Sequence, residues 1–184
     1  MNTAGDYIHG LLGQLQTASS DEALQLLADA ANAHPADARP LLLLAAEFME
    51  RRDTDRAEAA YSAALLIAPE FAIARFQLGL LQFTSGRPAV AQVTWAGLEQ
   101  LPEGDPLRLF KRGMEALAID EFTAARALLR DGIAANTSNP PLNRDMEMLI
   151  AHIATLENPG SAGPAVQADP GESHFLLSAY GRVH

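Results

Sequence analysis

Apolar residues recur at i, i+3, i+4 and i+7 along successive stretches of this chain, the spacing that lays one apolar stripe on a helix. Short polar segments interrupt the stretches at residues 17–20, 52–55, 85–88 and 119–121. The pattern predicts helices over 4–16, 20–33, 38–51, 54–67, 71–85, 88–100, 106–118 and 121–135. Ser19 and Glu22 have the spacing of a capping box at a helix start. Pro88 suits the first turn of the helix it opens. Pro35, Pro69 and Pro102 close the helices before them, because proline cannot continue the hydrogen-bond ladder. Ser138 and Asn139, followed by Pro140 and Pro141, open one more helix that runs to about 157.

The stripes repeat in register. In steps of 34, Ala45, Gly79 and Gly113 share one column, Ala57, Ala91 and Ala125 a second, and Tyr61, Trp95 and Leu129 a third. Pro35 and Pro69 keep the same step, and Leu11, Ala23 and Leu27 extend it weakly to the N-terminus. A period of this length implies stacked supersecondary units in which small residues let paired helices approach and bulky ones fill the hollow between them.

These columns resemble the tetratricopeptide repeat. The second block carries Leu41, Leu44, Ala45, Phe48, Ala57, Tyr61, Ala64 and Pro69. The third carries Leu78, Gly79, Ala91, Trp95 and Leu98, with proline one place early at Pro102. The fourth keeps Leu109, Gly113, Ala116, Ala125 and Leu129 but has Arg112 where leucine is usual. The first is degenerate, with Leu11 at the small position. The resemblance covers 4–157. It implies an all-α fold, a right-handed solenoid of antiparallel helix pairs, with repeats over 4–37, 38–71, 72–105 and 106–139. The helix over 138–157 would cover the last apolar face.

In that family the first helix of each pair lines a concave groove. The resemblance then places Ile8 and Leu12 in the groove from the first block, and Leu42 and Met49 from the second. Ile73, Phe76, Leu80 and Phe83 follow from the third, and Phe110, Met114 and Leu117 from the fourth. One subgroup grips acidic C-termini with Lys, Asn and Arg at such positions. Here they are apolar, which argues against a carboxylate clamp. An apolar trough of this size invites a cover, since soluble monomers avoid large exposed apolar patches.

The C-terminal region supplies a candidate. Residues 158–173, rich in Pro, Gly, Ala and Ser, read as a flexible linker. Residues 174–184 then bring Phe175, Leu176, Leu177 and Tyr180, four large apolar side chains within six positions. As a short helix capped by Ser173 and ended by Gly181 the segment is marginal alone, so it is expected to dock on the repeats, in cis or by exchange between two copies.

Composition narrows the chemistry. With 23 acidic and 13 basic residues the net charge is −10, unsuited to nucleic acid or an anionic membrane. Cysteine is absent, which removes disulfides and thiolate metal sites. The N-terminal residues lack the pattern of a secretory signal, and no apolar run approaches a membrane span. These features fit a cytoplasmic protein. His9, His34, His152, His174 and His184 show no ligand spacing, and no phosphate loop, nucleophile elbow or HExxH motif occurs. Arg108, Lys111 and Arg112 form a small basic cluster on one helix.

The expectation is a non-enzymatic module without cofactors that takes an apolar peptide of a protein partner in its groove, first covered by its own tail. Two alternatives share these features. One is a chaperone resembling the translocator chaperones of type III secretion, which are small, acidic and cytosolic. The other is a homodimer held by tail exchange.

Overall fold

A computed structural model describes residues 3–157, with side chains from Tyr7 to Leu156. Among them every regular element is helical: α1 (Thr3–Leu15), α2 (Ser20–Ala33), α3 (Arg39–Glu50), α4 (Thr54–Ile67), α5 (Ala72–Thr84), α6 (Pro88–Trp95), α7 (Pro106–Leu117), α8 (Phe122–Ala135) and α9 (Pro140–Glu157). A 3-10 turn over Ala96–Gln100 continues α6. The chain divides after Leu78, inside α5, into two compact units.

The predicted starts hold closely. α2, α4, α6 and α8 begin at 20, 54, 88 and 122, each 34 residues after the last. Each start has a local cause. At α2 the capping box is complete: Glu22 N–H donates to Ser19 Oγ at 3.4 Å, and Ser19 N–H to Glu22 Oε2 at 2.8 Å. Asp53 accepts from Arg56 N–H at 3.3 Å, and Pro88 occupies the first turn of α6. Asp105 Oδ1 accepts from Leu107 N–H at 2.9 Å at α7, and Asn139 Oδ1 from Leu142 N–H at 3.2 Å at α9.

One departure concerns the predicted helix 88–100, which tightens to 3-10 after Trp95. Gly97 is a weak helix former there. Pro102 forces its predecessor out of helical geometry, and Leu101 is extended at φ −70°, ψ 154°.

The turns repeat too. Arg52, Gly86 and Asp120, again 34 apart, have φ of 59°, 77° and 58°. Around each, the same two bonds close the preceding helix. Asp53, Arg87 and Glu121 N–H donate to Phe48, Gln82 and Ala116 carbonyls, all at 2.9 Å. Arg52, Gly86 and Asp120 N–H donate to Met49, Phe83 and Leu117 carbonyls at 2.9–3.1 Å. This is a Schellman ending, which uses one left-handed residue to satisfy the last carbonyls. Among the described residues the first block has no left-handed counterpart.

In the first unit α2 packs on α1 and α3, and α3 on α4. Ala38, Ala64 and Ala74 form a tight apolar cluster with Leu41, Leu42, Leu65, Ala68 and Phe71 around it. Arg51, at the end of α3, reaches back to the start of α2, pairing with Asp21 at 2.8 Å and donating to Ser20 Oγ at 3.0 Å. In the second unit α8 packs on α7 and α9. The small positions make close contact possible there: Gly79 backs onto the indole of Trp95, Gly113 onto Leu129 and Gly132 onto the Phe110 ring. Buried Asn136 ties α8 to α9, donating to Asn139 O at 2.9 Å and Asn143 Oδ1 at 2.8 Å, while Asn143 Nδ2 returns to Asn136 O at 2.9 Å.

Candidate functional site

Two equivalent turns of the first unit wall an open pocket of about 730 Å³. One joins α2 to α3, where Asp37 N–H donates to His34 O at 2.9 Å. The other joins α4 to α5, where Phe71 N–H donates to Ala68 O at 3.0 Å, one repeat later. Pro35, Ala36, Ala38, Ala68 and Phe71 give the pocket an apolar lining. Tyr7, His34, Asp37, Arg39 and Glu70 complete it.

The polar side is a locked network. Tyr7 Oη donates to Asp37 Oδ2 at 2.5 Å, across 30 residues of chain. Arg39 Nε donates to both Asp37 oxygens at 2.9 Å, Arg39 Nη2 also pairs with Oδ2, and the Arg39 amide donates to Oδ1 at 2.9 Å. Asp37 is thereby saturated with donors. The Arg39 guanidinium above all, with the Tyr7 hydroxyl and the Arg39 amide, holds its carboxyl well below the usual carboxylate range. Burial raises the Tyr7 hydroxyl above its ordinary value, and the adjacent carboxylate adds to this. The Tyr7 ring stacks on His34 with centroids 3.6 Å apart, and the Arg39 guanidinium lies 5.8 Å from its centre.

Two polar side chains of the wall take no part in these hydrogen bonds. Glu70 is exposed and pairs with no described residue. The His34 ring nitrogens have no hydrogen-bond partner among the described residues. Sequence reasoning missed this site. The Tyr7–Asp37 pairing has no local signature, and nothing in the spacing of His34 points to a ring stack.

The residues expected to line a trough fall into two groups. Ile8, Leu42, Met49 and Ile73 are half-buried, and Leu12 is 42% exposed. Phe76, Leu80, Phe83, Phe110, Met114 and Leu117 are buried. For two of them the packing partner is plain: Phe83 stacks on Trp95 with ring centroids 5.9 Å apart, and Phe110 covers Gly132. Both rings contact the second helix of their own pair.

The basic cluster also resolves into internal pairs. Arg108 Nη2 meets Glu99 Oε2 at 3.0 Å, and buried Lys111 pairs with Glu99 and, at 3.0 Å, with Glu115. Lys111 is the chief cause that lowers the Glu99 carboxyl from its ordinary value. Of the three cations only Arg112 is exposed. Phe175, Leu176, Leu177 and Tyr180 lie outside the described residues, as does the linker 158–173. Among the described residues no helix is long and apolar enough to cross a membrane, and no group of three or more His, Asp or Glu is placed to hold a metal. No known protein-family model matches the chain, and no curated protein sequence matches it.

Proposed function

We propose that this chain is a tetratricopeptide-like interaction module, without a reaction centre of its own, that holds a peptide segment of a protein partner. The observation that supports this most is the 34-residue recurrence of one helix-ending turn at Arg52, Gly86 and Asp120, with matching bonds each time. A repeated unit of this kind builds recognition surface, and partner binding is what such surfaces do. The segment 174–184 is the first occupant of that surface, because four large apolar residues at the end of a polar linker gain most by docking. It docks in cis or is exchanged between two copies into a homodimer.

Deleting residues 172–184 tests the reading. The shortened protein should bind more of a dye that reports exposed apolar surface, and a synthetic peptide of residues 174–184 should suppress the increase. Light scattering at two concentrations separates cis docking from exchange. Unchanged dye binding, with no interaction between peptide and shortened protein, would remove the tail from the proposal.

A further inference from the structure

The charge on the pocket wall points to a definite ligand chemistry. The internal network consumes its charges in a pair: Asp37 is saturated by Arg39 and Tyr7. What remains is one carboxylate, Glu70, beside the apolar surface of Phe71, Ala68 and Pro35. An aliphatic stem ending in a cation matches both parts, since the methylenes lie along apolar surface while the charged head pairs with the acid. Two arginines stand close by, Arg39 in the wall paired with Asp37 and Arg75 donating to the Pro69 carbonyl at 2.7 Å, but the unit as a whole is acidic. Residues 1–78 carry eleven acidic side chains against five arginines and no lysine, so the field over this unit draws cations in.

We infer that the pocket between the 34–39 and 68–71 turns anchors an arginine or lysine of a partner peptide, with Glu70 as its counter-ion and Phe71 against its stem. The Tyr7–Asp37–Arg39 network positions the wall and does not take the ligand charge. His34, its ring nitrogens facing no described partner, offers a hydrogen bond to the peptide backbone beside the anchor. The inference rests on the interaction-module reading and names the partner class for one part of its surface: a basic residue flanked by apolar ones.

The test uses the full chain, labelled with ¹⁵N, and a pair of acetylated, amidated peptides. One has arginine between two leucines; the other has citrulline, the neutral isostere, in its place. The arginine peptide should shift the amides of Ala36, Ala68 and Phe71, with affinity falling steeply as salt is raised. Citrulline should weaken binding at least about fivefold, and Glu70→Gln should weaken the arginine peptide by a similar factor while leaving the citrulline peptide unchanged. Glu70 is exposed, so this substitution leaves the fold intact, and an unchanged amide spectrum of the free variant checks that. Equal binding of the two peptides, insensitivity to Glu70→Gln, or shifts confined to other residues would overturn the pocket assignment and leave the module reading standing. If the arginine peptide shifts no amide at all, the pocket assignment fails as well. The module reading falls only if the 174–184 peptide also fails to engage the shortened protein.

Discussion

The indole of Trp95 occupies the space that a Cβ on Gly79 would need, sixteen residues earlier in the chain. One repeat later Gly113 meets Leu129 in the same way, and Gly132 meets Phe110. In each case a missing side chain on one helix of the pair is what lets a large side chain on the other be fully buried. Trp95, Phe110 and Leu129 are all at 0% exposure.

Alanine at these glycines should therefore discriminate by the stiffness of the neighbour. At Gly132 the new Cβ would lie 2.5 Å from Phe110 Cδ1, and at Gly79 closer still to the rigid indole. Overpacking of this kind costs about 1–3 kcal/mol, against a gain of roughly 1 kcal/mol for alanine over glycine within a helix. Gly79→Ala and Gly132→Ala should both lower the urea midpoint, corresponding to a net loss of up to about 2 kcal/mol. Gly113→Ala meets Leu129 Cδ2 at 2.8 Å and Cγ at 2.9 Å, longer contacts to a more flexible side chain, so it should cost less than the other two. Equal effects at all three sites would show that the packing is looser than described.

The left-handed turn residues allow a test of opposite sign. Arg52 and Gly86 hold the same place in the repeat, at φ 59° and 77°, and a Cβ at Gly86 would meet nothing within 4 Å. The difference between them is thus backbone strain, worth roughly 1 kcal/mol for a residue with a Cβ in this region. Arg52→Gly should raise the urea midpoint and Gly86→Ala should lower it, each by an amount equivalent to about 0.5–1 kcal/mol once the greater freedom of glycine in the unfolded chain is included. The two shifts should be of similar size. A destabilising Arg52→Gly would mean that the arginine side chain makes a contribution its exposed position does not suggest.

Much of this framework was legible in the residues. The columns 45, 79, 113 and 61, 95, 129 announce a small residue facing a large one, and Gly79 against Trp95 is that contact made. The starts of α2, α4, α6 and α8 follow because caps and prolines act locally. Direction was harder. An apolar stripe says that Phe83 and Phe110 are covered, but not by which neighbour, and each contacts the second helix of its own pair. The left-handed turns at Arg52 and Asp120 were hidden because neither carries the glycine that marks Gly86. The pocket was hidden for another reason. Its polar wall joins Tyr7 on α1 to a turn 30 residues away, and no periodicity encodes a contact between two different kinds of element.

That wall makes its own prediction about pH. Asp37 has a carboxyl held below the ordinary range by Arg39, so its contribution is present above the carboxylate pKa of the unfolded chain, about 4, and is lost as pH falls toward the folded value. Replacing it by asparagine keeps the shape and some hydrogen bonding but removes the charge that binds Arg39. Because the Arg39 side chain is 42% exposed, solvent screening discounts the pair, and Asp37→Asn should cost about 1 kcal/mol at pH 7. The penalty should persist at pH 5, where Asp37 is ionised in both states. It should then shrink between about pH 4 and pH 2, because wild type must protonate the unfolded carboxyl first and the folded one last. Urea unfolding of both proteins at pH 7, 5, 3.5 and 2.5 measures the difference directly. A penalty constant across the series would show that Asp37 acts through shape alone, and the account of Arg39 and Tyr7 as partners of its charge would fail.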